Sequence, residues 1–301
     1  MTTSHNPICP NHTGGTCLAA TPRDPVDVTL LFLHGMGVTA RSWDQVRQRL
    51  PADWRTVAYD QRGHGHSAFG LLPPTGLAQL GADLADILTH PGSCLPGPVV
   101  LVGHSAGGIV LMHCAATHPD LFGTRVVGAV LLSTTAAPVD LTCGVKGPAG
   151  LLLGRLFLQA AGAPPDRITA RTSLAVRLSS LLVRIMTRSR WPLYGHASTP
   201  ATRRACSEMI SATEPATLSA LLHQLSANRG PEPTGLSRVP VLIGVGSEDR
   251  LTPPSHSRDL ARRLPHAHLF TAPRAGHVLP LEAPDLVTRK IRDLLPLPRR
   301  E

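Results

Sequence analysis

The stretch Val99-Val-Leu-Val-Gly-His-Ser-Ala-Gly-Gly108 decides the fold of this chain. An apolar run rich in valine stops at Gly103, and a segment compatible with a helix begins directly after Ser105. The G-x-S-x-G pattern between them is typical of a sharp strand-to-helix turn that lifts a serine hydroxyl above a sheet. Glycine is needed where the backbone of such a turn crowds itself. We therefore take Ser105 as the first candidate for a reactive residue.

Further apolar runs of strand length flank this stretch along the chain. They cover residues 28–33, 55–59, 126–132, 239–245 and 268–271. Helical patterns alternate with these runs, over residues 75–88 and over residues 42–50, where Ser42 is the expected N-cap. This alternation favours an α/β fold with a mostly parallel sheet flanked by helices.

The alternation is interrupted between residues 136 and 237, where only helical patterns and Pro/Gly breaks occur. We predict an inserted all-helical cap at 136–237, a core formed by 25–135 and 238–301, and a flexible N-terminal arm at 1–24 with a short strand near Cys17 to Ala20. Within the cap, leucines at helical spacing form a stripe that arginines border on one side. Such a helix most often covers its own active site, and weak association of this cationic helix with a membrane surface is the alternative.

The net charge of +9 does not by itself indicate a nucleic-acid partner. The 29 basic residues are nearly all arginines and are scattered over the sequence, and aromatic residues make up only 3%. Binding of single strands by base stacking needs more aromatic side chains than that. We therefore expect no nucleic-acid partner, and the sequence leaves the oligomeric state open.

Six cysteines in a chain of 301 residues do not imply a disulfide framework. The N-terminal segment is polar and proline-rich and lacks the pattern of a secretory signal peptide. No stretch approaches the roughly 18 uninterrupted apolar residues of a membrane-spanning helix. Cys9, His12 and Cys17 lack the second pair of ligands of a structural zinc site. These observations predict a cytoplasmic protein with reduced thiols, no metal and no stable membrane insertion.

Three residues of complementary chemistry follow predicted strands, in the order Ser105, Asp249 and His277. A serine hydroxyl is a poor nucleophile at neutral pH unless an adjacent imidazole takes up its proton. The imidazole in turn needs a carboxylate that fixes its tautomer and stabilises the imidazolium. His34-Gly-Met-Gly37 follows another strand, and glycines there let backbone N–H groups point into a cavity. An ordinary tight turn is the alternative interpretation of that loop.

This order of serine, acid and histidine resembles that of the α/β-hydrolase fold family, in its serine esterase and haloperoxidase-like branch. His34-Gly-Met-Gly37 looks like the oxyanion loop of that family. Asp60-Gln-Arg-Gly-His-Gly-His-Ser67 is similar to its D-x-R-G-x-G-x-S loop. Gly246-Ser-Glu-Asp249 and Gly276-His277 match the segments that carry the acid and the base.

The resemblance implies a serine hydrolase that cleaves a carboxylic ester-like bond through an acyl-enzyme, without a metal or an organic cofactor. By position, Ser105 would be the nucleophile, His277 the base and Asp249 the orienting acid. The backbone N–H groups of Met36 and Ala106 would form the oxyanion hole.

The expected partner is a moderately apolar, ester-like small molecule. Residues expected to line its pocket are His34, Gly35, His104, Met186, Trp191, Tyr194 and Val278. The same triad would also serve a thioesterase, a lactonase or lipase, or a cofactor-free perhydrolase. A catalytically silent ligand-binding or membrane-surface protein of this fold is a further alternative.

Several neighbouring polar residues are expected to have structural roles only. We expect His104 to pack beside the turn without transferring protons, and His64 and His66 to shape their own loop. Glu248 adjoins Asp249, but Asp249 occupies the position of the acid in the resembled family.

Overall fold

The apolar runs of the sequence form the strands of one sheet. The computed structural model describes residues 17–18, 28–67, 76–91, 93, 95–139, 193–213 and 215–294. The strands found there are β1 (Cys17–Leu18), β2 (Thr29–Leu33), β3 (Arg55–Tyr59), β4 (Val99–His104), β5 (Val126–Leu132), β6 (Val241–Gly246) and β7 (Ala267–Ala272). Their order across the sheet is β1-β3-β2-β4-β5-β6-β7. β1 is antiparallel to β3, and the remaining neighbours pair in parallel. The expected mostly parallel α/β sheet is therefore confirmed.

Helices connect these strands and cover both faces of the sheet. The helices found in the described residues are α1 (Asp44–Arg47), α2 (Leu77–Thr89), α3 (Ala106–Thr117), α4 (Pro200–Ala212), α5 (Pro215–Ala227), α6 (Pro254–Arg263), α7 (Leu279–Glu282) and α8 (Pro284–Leu294). Short 3-10 turns occur at Ala40–Trp43, Pro119–Leu121 and Thr234–Arg238. The alternation of strands and helices brings the loops at the carboxyl ends of the parallel strands to one edge of the sheet.

The apolar core lies on both sides of the sheet. Leu31 and Leu33 pack with α2 and α3 on one face, whereas Leu30 and Phe32 pack with Trp43 and α8 on the other. All five side chains are completely buried. Because alternate residues of a strand point to opposite faces, a strand covered on both faces needs an unbroken apolar run. This double coverage explains the continuous apolar sequence of β2.

The helical turn after β2 begins earlier than the sequence predicts. Ser42 was the expected N-cap, but it lies inside a 3-10 turn that starts at Ala40, and α1 ends at Arg47. The Oδ1 atom of Asp60 accepts a hydrogen bond from the N–H of Ala40 at 2.8 Å. The acceptor at this helix start therefore comes from the end of β3, which local sequence does not reveal.

The described part of the predicted cap, residues 136–139, 193–213 and 215–237, contains α4 and α5 and no strand. These helices lie against loops at the carboxyl edge of the sheet. Thr213 donates a hydrogen bond to the carbonyl oxygen of Gly37 at 2.9 Å, and Gln224 accepts one from the N–H of Leu77 at 2.7 Å. Residues 140–192, with the predicted arginine-bordered helix, lie outside the described residues. The cap at 136–237 and its boundaries stay a prediction.

Candidate active site

Ser105 lies at the turn between β4 and α3 in a backbone conformation that is rare for a residue with a side chain. Its φ is 52° and its ψ is −119°. A Cβ atom added to Gly107 would lie 2.4 Å from the carbonyl oxygen of Leu33, and one added to Gly103 would lie 2.8 Å from that of Gly107. Both glycines of the G-x-S-x-G pattern are therefore required by close backbone approach.

Hydrogen bonds hold this turn in its strained conformation. The N–H of Ser105 donates to the carbonyl oxygen of Leu132 in β5 at 2.9 Å. The carbonyl oxygen of Ser105 accepts a bond from the hydroxyl of Thr134 at 2.8 Å. Strained residues persist where their surroundings over-determine them, and they cluster at functional sites. The Ser105 side chain is thereby fixed at the carboxyl edge of the sheet.

The three candidate residues from separate strands meet at this edge. His277 Nε2 lies 2.9 Å from Ser105 Oγ. His277 Nδ1 lies 3.0 Å from Asp249 Oδ2 and 3.2 Å from Asp249 Oδ1. Because a carboxylate only accepts, Nδ1 carries the proton and Nε2 is left to accept the proton of the serine hydroxyl. This arrangement is able to transfer a proton from serine to imidazole.

Asp249 is held ionised by its surroundings. Burial alone would raise the pKa of this carboxyl, but the charge of His277 and hydrogen bonds from His277 and Thr252 outweigh it and lower the pKa. The backbone N–H groups of Leu251 and Thr252 donate to Oδ1, and the Thr252 hydroxyl donates to Oδ2 at 2.9 Å. Thr252 also lies 3.2 Å from His277 Nδ1. The sequence prediction missed this threonine, which orients both the acid and the base.

Glu248, the alternative acid, faces away from the triad. Its carboxylate accepts hydrogen bonds from the backbone N–H and the ring Nδ1 of His196, both at 2.7 Å. The bond from the His196 backbone N–H is the main cause that lowers the pKa of Glu248. Glu248 therefore tethers the segment before α4.

The glycine loop after β2 runs directly over the serine turn. A Cβ added to Gly35 would lie 2.8 Å from His104 Nδ1 and 3.2 Å from the Cβ of Ser105. The next residue, Met36, is partly buried, and Ala106 begins α3 directly after the serine. Neither of their N–H groups donates a hydrogen bond to any residue that the structure describes. Two backbone donors near the serine are thus free to bind an oxyanion.

Two buried histidines fix this glycine loop by accepting backbone hydrogen bonds. His64 Nε2 accepts a bond from the N–H of Gly37 at 3.0 Å. His34 Nε2 accepts one from the N–H of Gln61 at 2.9 Å, and His34 Nδ1 donates to the carbonyl of Gly35 at 2.8 Å. Burial lowers the pKa of His34 to about 4 and that of His64 to about 3. Both rings are neutral near pH 7 and serve as rigid acceptors.

The D-x-R-G-x-G-x-S loop is built around a buried carboxylate. Asp60 Oδ1 accepts the bond from the N–H of Ala40, and Asp60 Oδ2 accepts a hydrogen bond from the N–H of His66 at 3.0 Å. The His66 ring is largely exposed, and its Nδ1 lies 3.4 Å from Oδ2. Arg62 makes a two-point ion pair with Asp83 of α2, at 2.9 and 2.8 Å. The loop is therefore tied to α2 and supports the glycine loop through His64.

The described residues predicted to line the pocket are all buried. His104 donates from Nε2 to the carbonyl oxygen of His277 at 2.8 Å, and burial lowers the pKa of His104 to about 3. Tyr194 and Val278 belong to an apolar cluster against which Met36 packs. The other members of this cluster are Val38, Cys206, Met209, Ile210, Leu218 and Leu281. Met186 and Trp191 lie outside the described residues.

In the part of the chain that the structure describes, no group of three or more His, Cys, Asp or Glu residues is arranged to hold a metal ion. No described helix is both long enough and apolar enough to cross a membrane.

Comparison with known proteins identifies the family. The sequence model of the alpha/beta hydrolase family matches residues 30–290. A pimeloyl-[acyl-carrier protein] methyl ester esterase from Neisseria meningitidis is 27% identical over 82% of this chain and 84% of its own length. Among solved structures, a thermophilic esterase from Thermogutta terrifontis has a TM-score of 0.69, with 24% identity over 95% of this chain and 96% of that one. The enol-lactonase from Burkholderia xenovorans has a TM-score of 0.70, with 20% identity over 94% of this chain and 98% of that one. The chain belongs to the alpha/beta hydrolase family and is a hydrolase.

Proposed function

We propose that this hydrolase cleaves carboxylic esters of moderately apolar small molecules through an acyl-enzyme. The observation that carries the proposal is the continuous chain of hydrogen bonds from Ser105 through His277 to Asp249. It is formed at a strained turn, beside two backbone donors that bond to no residue the structure describes. Nucleophile, base, orienting acid and oxyanion donors are the complete set that acyl transfer requires.

In the acylation step, Ser105 Oγ attacks the carbonyl carbon of the ester and its proton passes to His277 Nε2. The resulting tetrahedral oxyanion accepts hydrogen bonds from the N–H groups of Met36 and Ala106. The imidazolium then gives its proton to the departing alkoxide, and the C–O bond to the alcohol breaks. The products are a free alcohol and an ester between the acyl group and Ser105.

In the deacylation step, water takes the place of the alcohol. His277 Nε2 accepts a proton from the water while the water oxygen attacks the acyl carbon. The second tetrahedral intermediate collapses, the proton on His277 returns to Ser105 Oγ, and the carboxylic acid leaves. Asp249 keeps the imidazole in the required tautomer in both steps and stays ionised, in keeping with its lowered pKa.

An apolar acyl group fits the residues around the serine. The cluster of Tyr194, Val278 and neighbouring apolar side chains adjoins Met36, whose N–H is the proposed oxyanion donor. The Neisseria relative is named a methyl ester esterase. We extend to this chain the cleavage of esters that release a small alcohol. The helices α4 and α5, which belong to the predicted cap at 136–237, would help to enclose the acyl chain.

The test is Ser105→Ala, assayed on p-nitrophenyl esters with acyl chains from acetate to decanoate. We expect turnover to fall by about 10⁴- to 10⁶-fold, since loss of the nucleophile leaves only binding and the oxyanion donors. A fluorophosphonate probe should add its phosphonyl mass to the wild type, with loss of fluoride, and leave Ser105→Ala unmodified. Ser237→Ala changes an exposed serine and serves as control.

The same experiment separates the alternatives. Unchanged ester turnover in Ser105→Ala contradicts the assignment of the nucleophile. A wild type that neither turns over any ester nor reacts with the probe indicates a silent member of the fold. Faster turnover of a thioester, a lactone or a peracid in a matched panel would keep the triad but reassign the substrate class.

A further inference from the structure

Glu282 is a buried carboxylate that the proposed mechanism does not use. It lies in α7, five residues after the base, and only 9% of it is exposed. Its Oε2 atom accepts hydrogen bonds from the N–H groups of Gly195 at 2.8 Å and Gly276 at 3.0 Å. Its Oε1 atom is buried and receives no hydrogen bond from any described residue. A buried carboxylate with an unpaired oxygen is costly and requires an explanation.

Glu282 joins two backbone segments, one of which carries the base His277. The N–H of His277 donates to the carbonyl oxygen of Leu193 at 2.8 Å. A Cβ on Gly276 would lie 2.4 Å from the backbone nitrogen of Gly195, so the two segments are in direct backbone contact. Both glycine N–H groups converge on the same oxygen of Glu282. The carboxylate therefore fixes the residue before His277 and the segment that leads to α4.

The charge of Glu282 also acts on its surroundings. The titratable groups that face it are His277 from the loop after β7, Tyr194 from the segment before α4, and Cys206 from α4 itself. Arg203 acts on Tyr194, next to this group. Burial raises the pKa of Glu282 above its usual range, although the N–H groups of Gly276, Gly195 and Val278 and the charge of His277 favour the ionised form.

We propose that Glu282 is a positioning residue of the base, which holds the backbone of His277 and supplies a second buried negative charge that favours the imidazolium. The proposal rests on the proposed function, because only a base that becomes cationic during the reaction benefits from this charge. Asp249 acts on the ring directly at Nδ1, whereas Glu282 acts through Gly276 and through space. Two carboxylates thus stabilise the cationic form of one ring.

Glu282→Gln removes the charge and leaves the hydrogen bonds possible. The amide oxygen of glutamine is able to take the place of Oε2 and accept from both glycines. We expect kcat to fall about 5- to 10-fold, and the acid limb of the kcat/KM–pH profile to move about 0.5 unit lower, since a nearby negative charge no longer favours the imidazolium. Because ionisation of the buried carboxylate opposes folding at neutral pH, the Tm should stay equal or rise. A purely structural role would lower the Tm and leave the acid limb in place.

Two variants control for this result. Glu248→Gln removes a partly exposed carboxylate that holds His196, the residue after Gly195, and should leave the acid limb within about 0.1 unit of wild type. Glu282→Asp keeps the charge but shortens the side chain, so kcat should fall while the acid limb stays in place. An acid limb unchanged in folded Glu282→Gln, or shifted in Glu282→Asp, overturns the proposal. Wild-type turnover that depends on Ser105 is established first, so failure of the proposed function is recognised separately.

Discussion

His277 and the pair His34 and His64 lie at the same edge of the sheet, and their rings make similar hydrogen bonds. In each ring Nδ1 faces an oxygen that only accepts, and Nε2 faces a donor. For His277 the oxygen belongs to the Asp249 carboxylate and the donor is the Ser105 hydroxyl. For His34 and His64 the oxygen is a backbone carbonyl and the donor is a backbone N–H.

The chemistry of these partners separates a base from a rigid acceptor. A serine hydroxyl gives up its proton as its oxygen attacks a carbonyl, whereas a backbone amide keeps its proton. A carboxylate stabilises an imidazolium far better than a carbonyl oxygen does. The ring nitrogens of His34 and His64 hydrogen-bond to backbone groups, and burial keeps both rings neutral, with pKa values of about 4 and about 3, although the Asp60 carboxylate acts on His64. The partners of the ring, more than its position at the sheet edge, therefore decide its role.

Asp249→Asn removes the feature that distinguishes His277 from the other two rings. The asparagine amide would face Nδ1 with a donor and favour the tautomer that has its proton on Nε2, which is unable to accept the serine proton. We expect kcat on a p-nitrophenyl ester to fall by about 10⁴-fold with little change in KM. Asp120→Asn, at a fully exposed carboxylate, is the control and should retain wild-type activity.

Retention of more than about a tenth of the activity in Asp249→Asn would contradict this comparison. It would mean that His277 acts as a base even when the group at its Nδ1 is neutral. The group at Nδ1 of His34 and His64 is a neutral backbone carbonyl, so those rings would then be able to act as bases too. Circular dichroism must show a folded variant, because Asp249 also accepts bonds from Leu251 and Thr252.

The neutral histidines should make the protein sensitive to acid. His34, His64 and His104 are buried, and burial lowers their pKa values to about 4, about 3 and about 3. Below pH 6.5 the unfolded chain binds protons at these residues and the folded chain does not. Their contribution to stability is therefore complete above about pH 6.5 and is lost as the pH falls towards 4. Together they should lower the free energy of unfolding by up to about 4 kcal/mol per pH unit in this window.

Urea unfolding between pH 7.5 and pH 4.5 measures this loss. The exposed His266 provides the control, since His266→Asn should leave the slope unchanged. A free energy of unfolding that stays constant from pH 6.5 to pH 5 would show that the buried rings bind protons in the folded state.

The residues that the sequence predicted differ from those it missed in whether a recognisable local pattern marks them. The serine turn, the oxyanion loop and the strands beside them are encoded locally, by glycines at fixed spacing and by unbroken apolar runs. Asp249 and His277 follow strands whose order could be inferred from the alternation of elements. Two of the missed contacts lack any such pattern: Asp60 accepts from Ala40, and Glu282 accepts from Gly195, 87 positions away. Such a partner becomes visible only when the fold brings two loops together.

His64→Asn should give the smallest of the effects on this comparison. Asparagine is too short to replace Nε2 as the acceptor of the Gly37 N–H, so the loop that carries Met36 loses one buried hydrogen bond. An unpaired buried donor costs about 1–3 kcal/mol, and we expect kcat/KM to fall about 10-fold. The pH profile of kcat/KM should keep its shape, because a neutral acceptor exchanges no proton. A shift of the acid limb in His64→Asn, with no shift in His266→Asn, would mean that His64 titrates with the base and that the two kinds of histidine are not separate after all.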